Sequence, residues 1–465
     1  MKKLLILAAV SAATALTEAA VTITDITARQ RWPWNGIVDV DFTIAGASAG
    51  EVFAIDIDAT AANGATQLSA KTYVTEPLAG TGANRIAWDF GADYPEFRAN
   101  DVRISVTATP VSESGPVYMV IDLAGGANAE KYPVRYTTRP PAHVQGAKDE
   151  PCQTTELWMR RIHVPDFAFT VNSYTVFENP NTFVQHRNYW GKMTKDYYIG
   201  VFELTQKQYQ LVMGDWPKSY FTNEEHRASR PVEGLRYDTF VGSFIDSQVE
   251  SSKISAASFL GRIRAKTALP INLPSNIQLN FAGRGGTYVD RSTEFYVYKV
   301  NGENKNKDRI LLSRNADNVE TTSPSQDCDA KSGTAYVGSY LPNDYGLYDV
   351  IGNVIEYTSE RYLATKSGND GGAIYHYREY YQEFFNDETI GSIKANPVID
   401  PAGVTVDKAN KSGQGTPVFR VGRGGSYGIT PANMDLWNLD NIDSSYSDGS
   451  KTLSYKGFRL SMSVE

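Results

Sequence analysis

The sequence predicts an α+β protein led by an all-β sandwich, and three observations carry that expectation. Residues 21 to about 111 fall into short stretches of alternating apolar and polar side chains, separated by Gly, Asn, Asp and Ser clusters. That period of two belongs to half-buried strands. Two later segments bring helical spacing instead: 197–214, a strand leading into a helix, and 254–266. The remainder, with 38 Gly and 28 Tyr over the whole chain, has no long heptad run and reads as loop-rich and packed on aromatic rings.

Taken in order, the chain of 465 residues opens on Lys2 and Lys3 followed by an apolar run from Leu4 to Ala15. The run is Ala/Leu-rich and too short to span a bilayer, which fits a signal peptide over 1–20 cleaved near Ala19 or Ala20. No later stretch approaches the roughly 20 apolar residues of a membrane helix. An exported protein without a membrane span is expected, in the periplasm, at the cell surface or outside the cell. A net charge of −8 argues against a nucleic-acid backbone as partner. The only two cysteines, Cys152 and Cys328, are even in number in an oxidising compartment, so a disulfide is the expectation to test.

The runs VTITDITA, GIVDVDFTIAG, EVFAIDIDAT, NRIAWDF and DVRISVTATP predict an immunoglobulin-like antiparallel sandwich over 21–115, a spacer or adhesion module. Trp32 and Trp34 within RQRWPWNG are read as its structural tryptophans. Residues 116–154 are expected to connect, although VYMVIDL (117–123) is itself a strongly apolar strand. The main domain is expected over 155–465. Within it Thr205 caps a helix whose Tyr209, Val212 and Met213 face inward. Ala256, Leu260 and Ile263 form the stripe of a second helix, and LPSNIQLNFAGRGG (273–286) a third, with Pro before it and glycines after it. The GRGG at 283–286 and 422–425 lacks the GK[ST] of a phosphate loop. The five histidines show no HxH or HExxH spacing, so no zinc site is expected.

The main domain is organised around LPNDYGLYDVIGNVIEY (341–357), where neither period survives and a shaped, mostly buried loop is expected. Its Asp349 and Glu356 flank Gly352. On these residues alone a capped turn with two solvated acids is the simpler reading, and an oxygen cage for Ca2+ is the other.

GLYDVIGNVIEY resembles the GLYDMxGNVWEW signature of the formylglycine-generating enzyme (sulfatase-modifying factor) family, a variant of the C-type lectin fold. YYIGVFELTQKQY (197–209), RPVEGLRYDTF (230–240), LPSNIQLNFAGRGG, RVGRGGSY (420–427) and GFRL (457–460) stand in the same order as that family's motifs. The resemblance implies structural Ca2+ held by Asp349, Gly352, Val354 and Glu356, and a weaker second site at Asn315 and Asp329 (or Asn318, if the loop shifts). It also implies where copper-binding cysteines would stand, two and seven residues beyond the aromatic of the RGGS-aromatic motif. Here those places hold Ile429 and Met434, so neither copper nor cysteine oxidase activity is expected. The polar, aromatic stretch 430–456 corresponds to the ligand face of binding members. Tyr427, Trp437, Asn438, Asp440, Asn441 and Tyr446 are the residues expected to meet a glycan, peptide or protein. A divergent enzyme using the same pocket and a structural surface component are the alternatives. The Tyr-rich segment 361–396 reads equally as a surface helix or a lid.

Overall fold

The computed structural model describes residues 21–32, 35–62, 64–99, 101–111, 117–171, 189–242, 254–285, 299–300, 303–304, 313–362, 398–401, 419–430, 440–443 and 448–464. Contacts divide the chain into two units, Met1–Val120 with Val134–Arg139 and Val464–Glu465, and Ile121–Pro133 with Pro140–Ser463. The stretch expected to be a connection carries structure of its own: the strands Tyr118–Asp122 and Val134–Thr137 and the helical turn Pro151–Thr154.

In the first unit the alternating runs become strands. Thr22–Gln30, Ile37–Ala45 and Gly82–Asp89 form one antiparallel sheet. Val52–Ala61 pairs with Thr66–Ser69, Leu78–Gly80 and Arg103–Pro110 in another. Val40, Phe42 and Ile44 from the first sheet share a core with Ile55, Ile57, Ile104 and Val106 from the second, as a period of two requires when each sheet buries one face. Each such side chain contributes about 1.5–3 kcal/mol on burial. The structural tryptophan is Trp88, fully buried, with its indole N–H donating to Asp93 at 2.8 Å. Trp32, expected inside, is 75% exposed, and Trp34 lies outside the described residues. The reason is local: Trp32 follows the end of its strand, in a turn, where alternation no longer dictates a face.

The second unit mixes short helices with short strands. Glu156–Ile162 pairs with Tyr197–Gly200, which pairs with Ser461–Ser463. The helix Gln206–Met213 starts at the expected cap, Thr205, whose hydroxyl accepts from the Gln208 N–H while the Gln208 side chain returns to the Thr205 N–H. The second helix runs Phe259–Thr267, later than the apolar stripe suggests, because the Ser258 hydroxyl accepts from the Gly261 N–H and Ala256 stays exposed before it. Asn276–Gly283 follows a capping box between Ser275 and Gln278. A further sheet places the strand Ile355–Tyr362 between Phe419–Arg423, antiparallel, and Lys456–Gly457, parallel. That sheet gathers the three motif segments around 349–357, 420–427 and 457–460.

Candidate functional site

The loop before Ile355 is held by its own polar side chains. The Asn343 side-chain oxygen accepts from the Tyr345 and Leu347 N–H groups, and Gly346 supplies the positive φ expected of it, +67°. Asp349 and Asn353 also sit at positive φ, +53° and +55°, a conformation that costs a non-glycine residue roughly 1–2 kcal/mol. Their side chains offset that cost. Asn353 accepts from the Ala335 N–H at 2.9 Å and donates to Glu203 at 2.7 Å. Asp349 Oδ2 accepts from the Gly338 N–H at 2.6 Å. Gly352 N–H donates to the Gly424 carbonyl, which ties the loop to the RVGRGG segment.

Three carboxylates converge below this loop. Glu203, Asp349 and Glu356 are buried, and so is Arg459 of the GFRL motif. Both Glu356 oxygens accept from Arg459, at 2.6 Å from Nε and 2.5 Å from Nη2. Two more of its N–H groups donate to the carbonyls of Gly200 and Tyr348. Glu203 accepts from the Val354 N–H and the Asn353 amide. Asp349 Oδ1 is buried without a hydrogen-bond partner. Burial pushes Asp349 up to about 6 despite the Gly338 N–H and the nearby Arg459 charge. Burial and then the Asp349 and Glu356 charges drive Glu203 well above the usual carboxylate range. Burial also raises Glu356, against the pull of Arg459. One guanidinium among three buried carboxylates leaves an excess of negative charge that a proton or a hard cation would relieve.

Of the expected cation ligands, Asp349 therefore has a free oxygen, whereas Glu356 is engaged by Arg459. Gly352 and Val354 lie in the same loop, their N–H groups directed to Gly424 and Glu203. At the second expected site Asn315 is buried and accepts from the Asp317 N–H, and Asn318 accepts from the Asn315 N–H. Asp329 is exposed and accepts from the Lys331 N–H. Sequence reasoning missed Glu203. Its signal was a lone acid in the apolar run Ile199–Leu204.

Tyr427, expected on the ligand face, is 3% exposed. Its ring meets Phe221 edge-on at 5.7 Å and its hydroxyl hydrogen-bonds Ser454 at 2.8 Å, so the ring serves packing and offers a ligand little surface. Trp437, Asn438 and Tyr446 lie outside the described residues. Asp440 and Asn441 fall on the strand Asp440–Asp443, opposite Gly422 and Val421. Ile429 is half-buried and its backbone bonds to Ser426 and Ala316, while Met434 and the segment 363–396 lie outside the described residues. The expected disulfide is not present: Cys152 and Cys328 are both free and buried. Cys328 donates to the Ser332 carbonyl and faces Arg230, whereas Cys152 faces Glu150, so each thiol is committed elsewhere. Beside Phe221, Glu233 accepts from the Tyr220 and Phe221 N–H groups, and burial still lifts it to about 8.

With this geometry in hand, comparison with known proteins is informative at the level of family. Among solved structures the chain is similar to Treponema denticola variable protein 1, with 20% identity, 66% of this chain and 95% of that chain covered, and a TM-score of 0.39. It is also similar to PvdO from Pseudomonas aeruginosa, with 15% identity, coverage of 70% and 100%, and a TM-score of 0.39. No curated protein sequence matches. The sulfatase-modifying factor enzyme 1-like domain family matches residues 145–463, a span that holds the loop, the carboxylates and Arg459. The chain belongs to that family.

Proposed function

We propose that this chain is an exported binding protein that uses its sulfatase-modifying factor-like domain to recognise a glycan, peptide or protein, without cysteine oxidase activity. The observation that carries the second half is Ile429, a hydrocarbon side chain at the place of the first copper-binding cysteine. Copper(I) selects soft thiolates, and the two cysteines of the chain, Cys152 and Cys328, stand outside the segment that would supply them. In this reading the domain has the C-type-lectin-like architecture of its family, with the 430–456 segment as ligand face anchored on Trp437. The N-terminal unit is then an immunoglobulin-like spacer that carries the domain away from the cell. Purified full chain, supplied with copper, is incubated with a cysteine peptide of the sulfatase type. No conversion of the cysteine is expected, and turnover that depends on this protein would overturn the proposal.

The same reading includes a structural Ca2+ near Asp349. The buried, unpartnered Oδ1 and the excess of carboxylates fit a hard, oxygen-seeking dication. Asp349 would hold it from the chain's side, with Glu203 close in charge and Glu356 kept by Arg459. Bound there, the ion would neutralise the carboxylates and take no part in chemistry.

A further inference from the structure

A second cluster lies where the second unit meets the start of the matched residues. His143, Glu150 and Cys152 bring an imidazole nitrogen, a carboxylate oxygen and a thiol sulfur within 4.8 Å of one another. The backbone is built to do this: Asp149 sits at φ +62°, and Pro151 starts the helical turn that carries Cys152. The Val144 N–H donates to Glu150 Oε1 at 3.1 Å and more weakly to Oε2 at 3.4 Å, and Oε2 is the oxygen that faces His143 Nδ1 at 2.5 Å and Cys152 Sγ at 3.9 Å. The other ring nitrogen, Nε2, lies 2.9 Å from the Gly338 carbonyl, and an oxygen there requires Nε2 to carry hydrogen. Phe202 and Tyr348 pack edge-on against the ring at 5.1 Å each and fix its plane. A side chain at position 338 would collide with His143 Nε2, so only glycine allows the carbonyl this approach.

With Nε2 protonated, a neutral ring presents a lone pair from Nδ1 directly to a carboxylate lone pair. Two acceptors at that distance share a proton, and a metal ion can take that proton's place once the two atoms part. A ring N–H held by a backbone carbonyl is the usual outer partner of a metal-bound histidine. We propose that His143 Nδ1, Glu150 Oε2 and Cys152 Sγ form a Zn2+ site, with water completing a tetrahedron from the partly exposed Glu150 side. Nitrogen, oxygen and thiolate sulfur are the donors zinc takes, and the set does not suit Ca2+. Charge balances. Zn2+ displaces the proton shared between Nδ1 and Oε2 and the thiol proton, both released to solvent. Zinc bonds of about 2.0–2.2 Å require the nitrogen and oxygen to part to about 3.3 Å, a side-chain adjustment. Burial, and then the Glu150 charge, push the Cys152 thiol up to about 12, so without a metal it stays protonated and inert.

The test uses the full chain, stripped of metal and titrated with Zn2+ or Co2+ alone. One Zn2+ per chain is expected, and Co2+ is expected to give a near-ultraviolet thiolate-to-cobalt band on the unmodified protein. Cys152→Ser should abolish the band, and His143→Gln should weaken metal binding by more than about tenfold. Cys328→Ser should leave both unchanged. No uptake of Zn2+ by the stripped chain would overturn the proposal. So would a Co2+ complex of the unmodified chain without a thiolate band, or a band that survives Cys152→Ser and disappears in Cys328→Ser.

Discussion

Arg459 shows how much a single residue can decide in this domain. Among the described residues it is the one guanidinium hydrogen-bonded into the group of buried carboxylates, and removing it takes away the partner of both Glu356 oxygens. Breaking such a buried pair from one side costs about 3–5 kcal/mol, so Arg459→Met should lower the denaturation midpoint sharply, read by urea unfolding. Glu233 gives a pH signature instead. Burial raises it from 4.5 to about 8, so its contribution to stability is complete below its unfolded value and is lost as pH rises through the folded one. Melting temperature should therefore fall between about pH 5 and pH 9. Glu233→Gln should flatten that fall, and an unchanged slope would show that the carboxylate is ionised throughout. Neither residue could be ranked from sequence, because an Arg and a Glu in a motif look the same whether they face water or each other.

At the scale of elements, the helix starts were legible and their context was not. Thr205 reads as a cap because a hydroxyl before an apolar run meets an otherwise unpaired N–H, whereas the Ser275 cap emerges only in the structure. Thr205 does more than the sequence implied, since its hydroxyl also donates to the buried Gln153 carbonyl at 2.7 Å. Thr205→Ala should destabilise the domain by about 1–2 kcal/mol, at the upper end for a cap, and Thr205→Ser should restore most of it. Equal losses for both variants would assign the effect to the methyl group. Ala256 shows the opposite outcome. Helical spacing drew it into a stripe, but the Ser258 cap starts the helix after it. A local hydrogen bond fixed the boundary where periodicity could not.

Across the whole molecule, two units imply that unfolding need not be a single transition. Ca2+ should raise the melting temperature of the unit that contains Asp349 in proportion to the logarithm of its concentration, and chelator should lower it. Asp349→Asn should remove most of that response, and a transition indifferent to Ca2+, chelator and the substitution would exclude the ion. No helix among the described residues is long and apolar enough to cross a membrane. By itself the sequence determined the strand faces of the first unit, the Thr205 cap and the order of motifs that marks the family, because each is written in neighbouring residues through alternation, capping and turn chemistry. Only the tertiary structure decided that Glu203 joins Asp349 and Glu356, that Arg459 takes both oxygens of Glu356, and that Tyr427 is buried and the two cysteines stay apart. Those outcomes depend on which distant segments share a dry interior, where burial sets the charge of a carboxylate and the partner of every donor, and no local pattern encodes that.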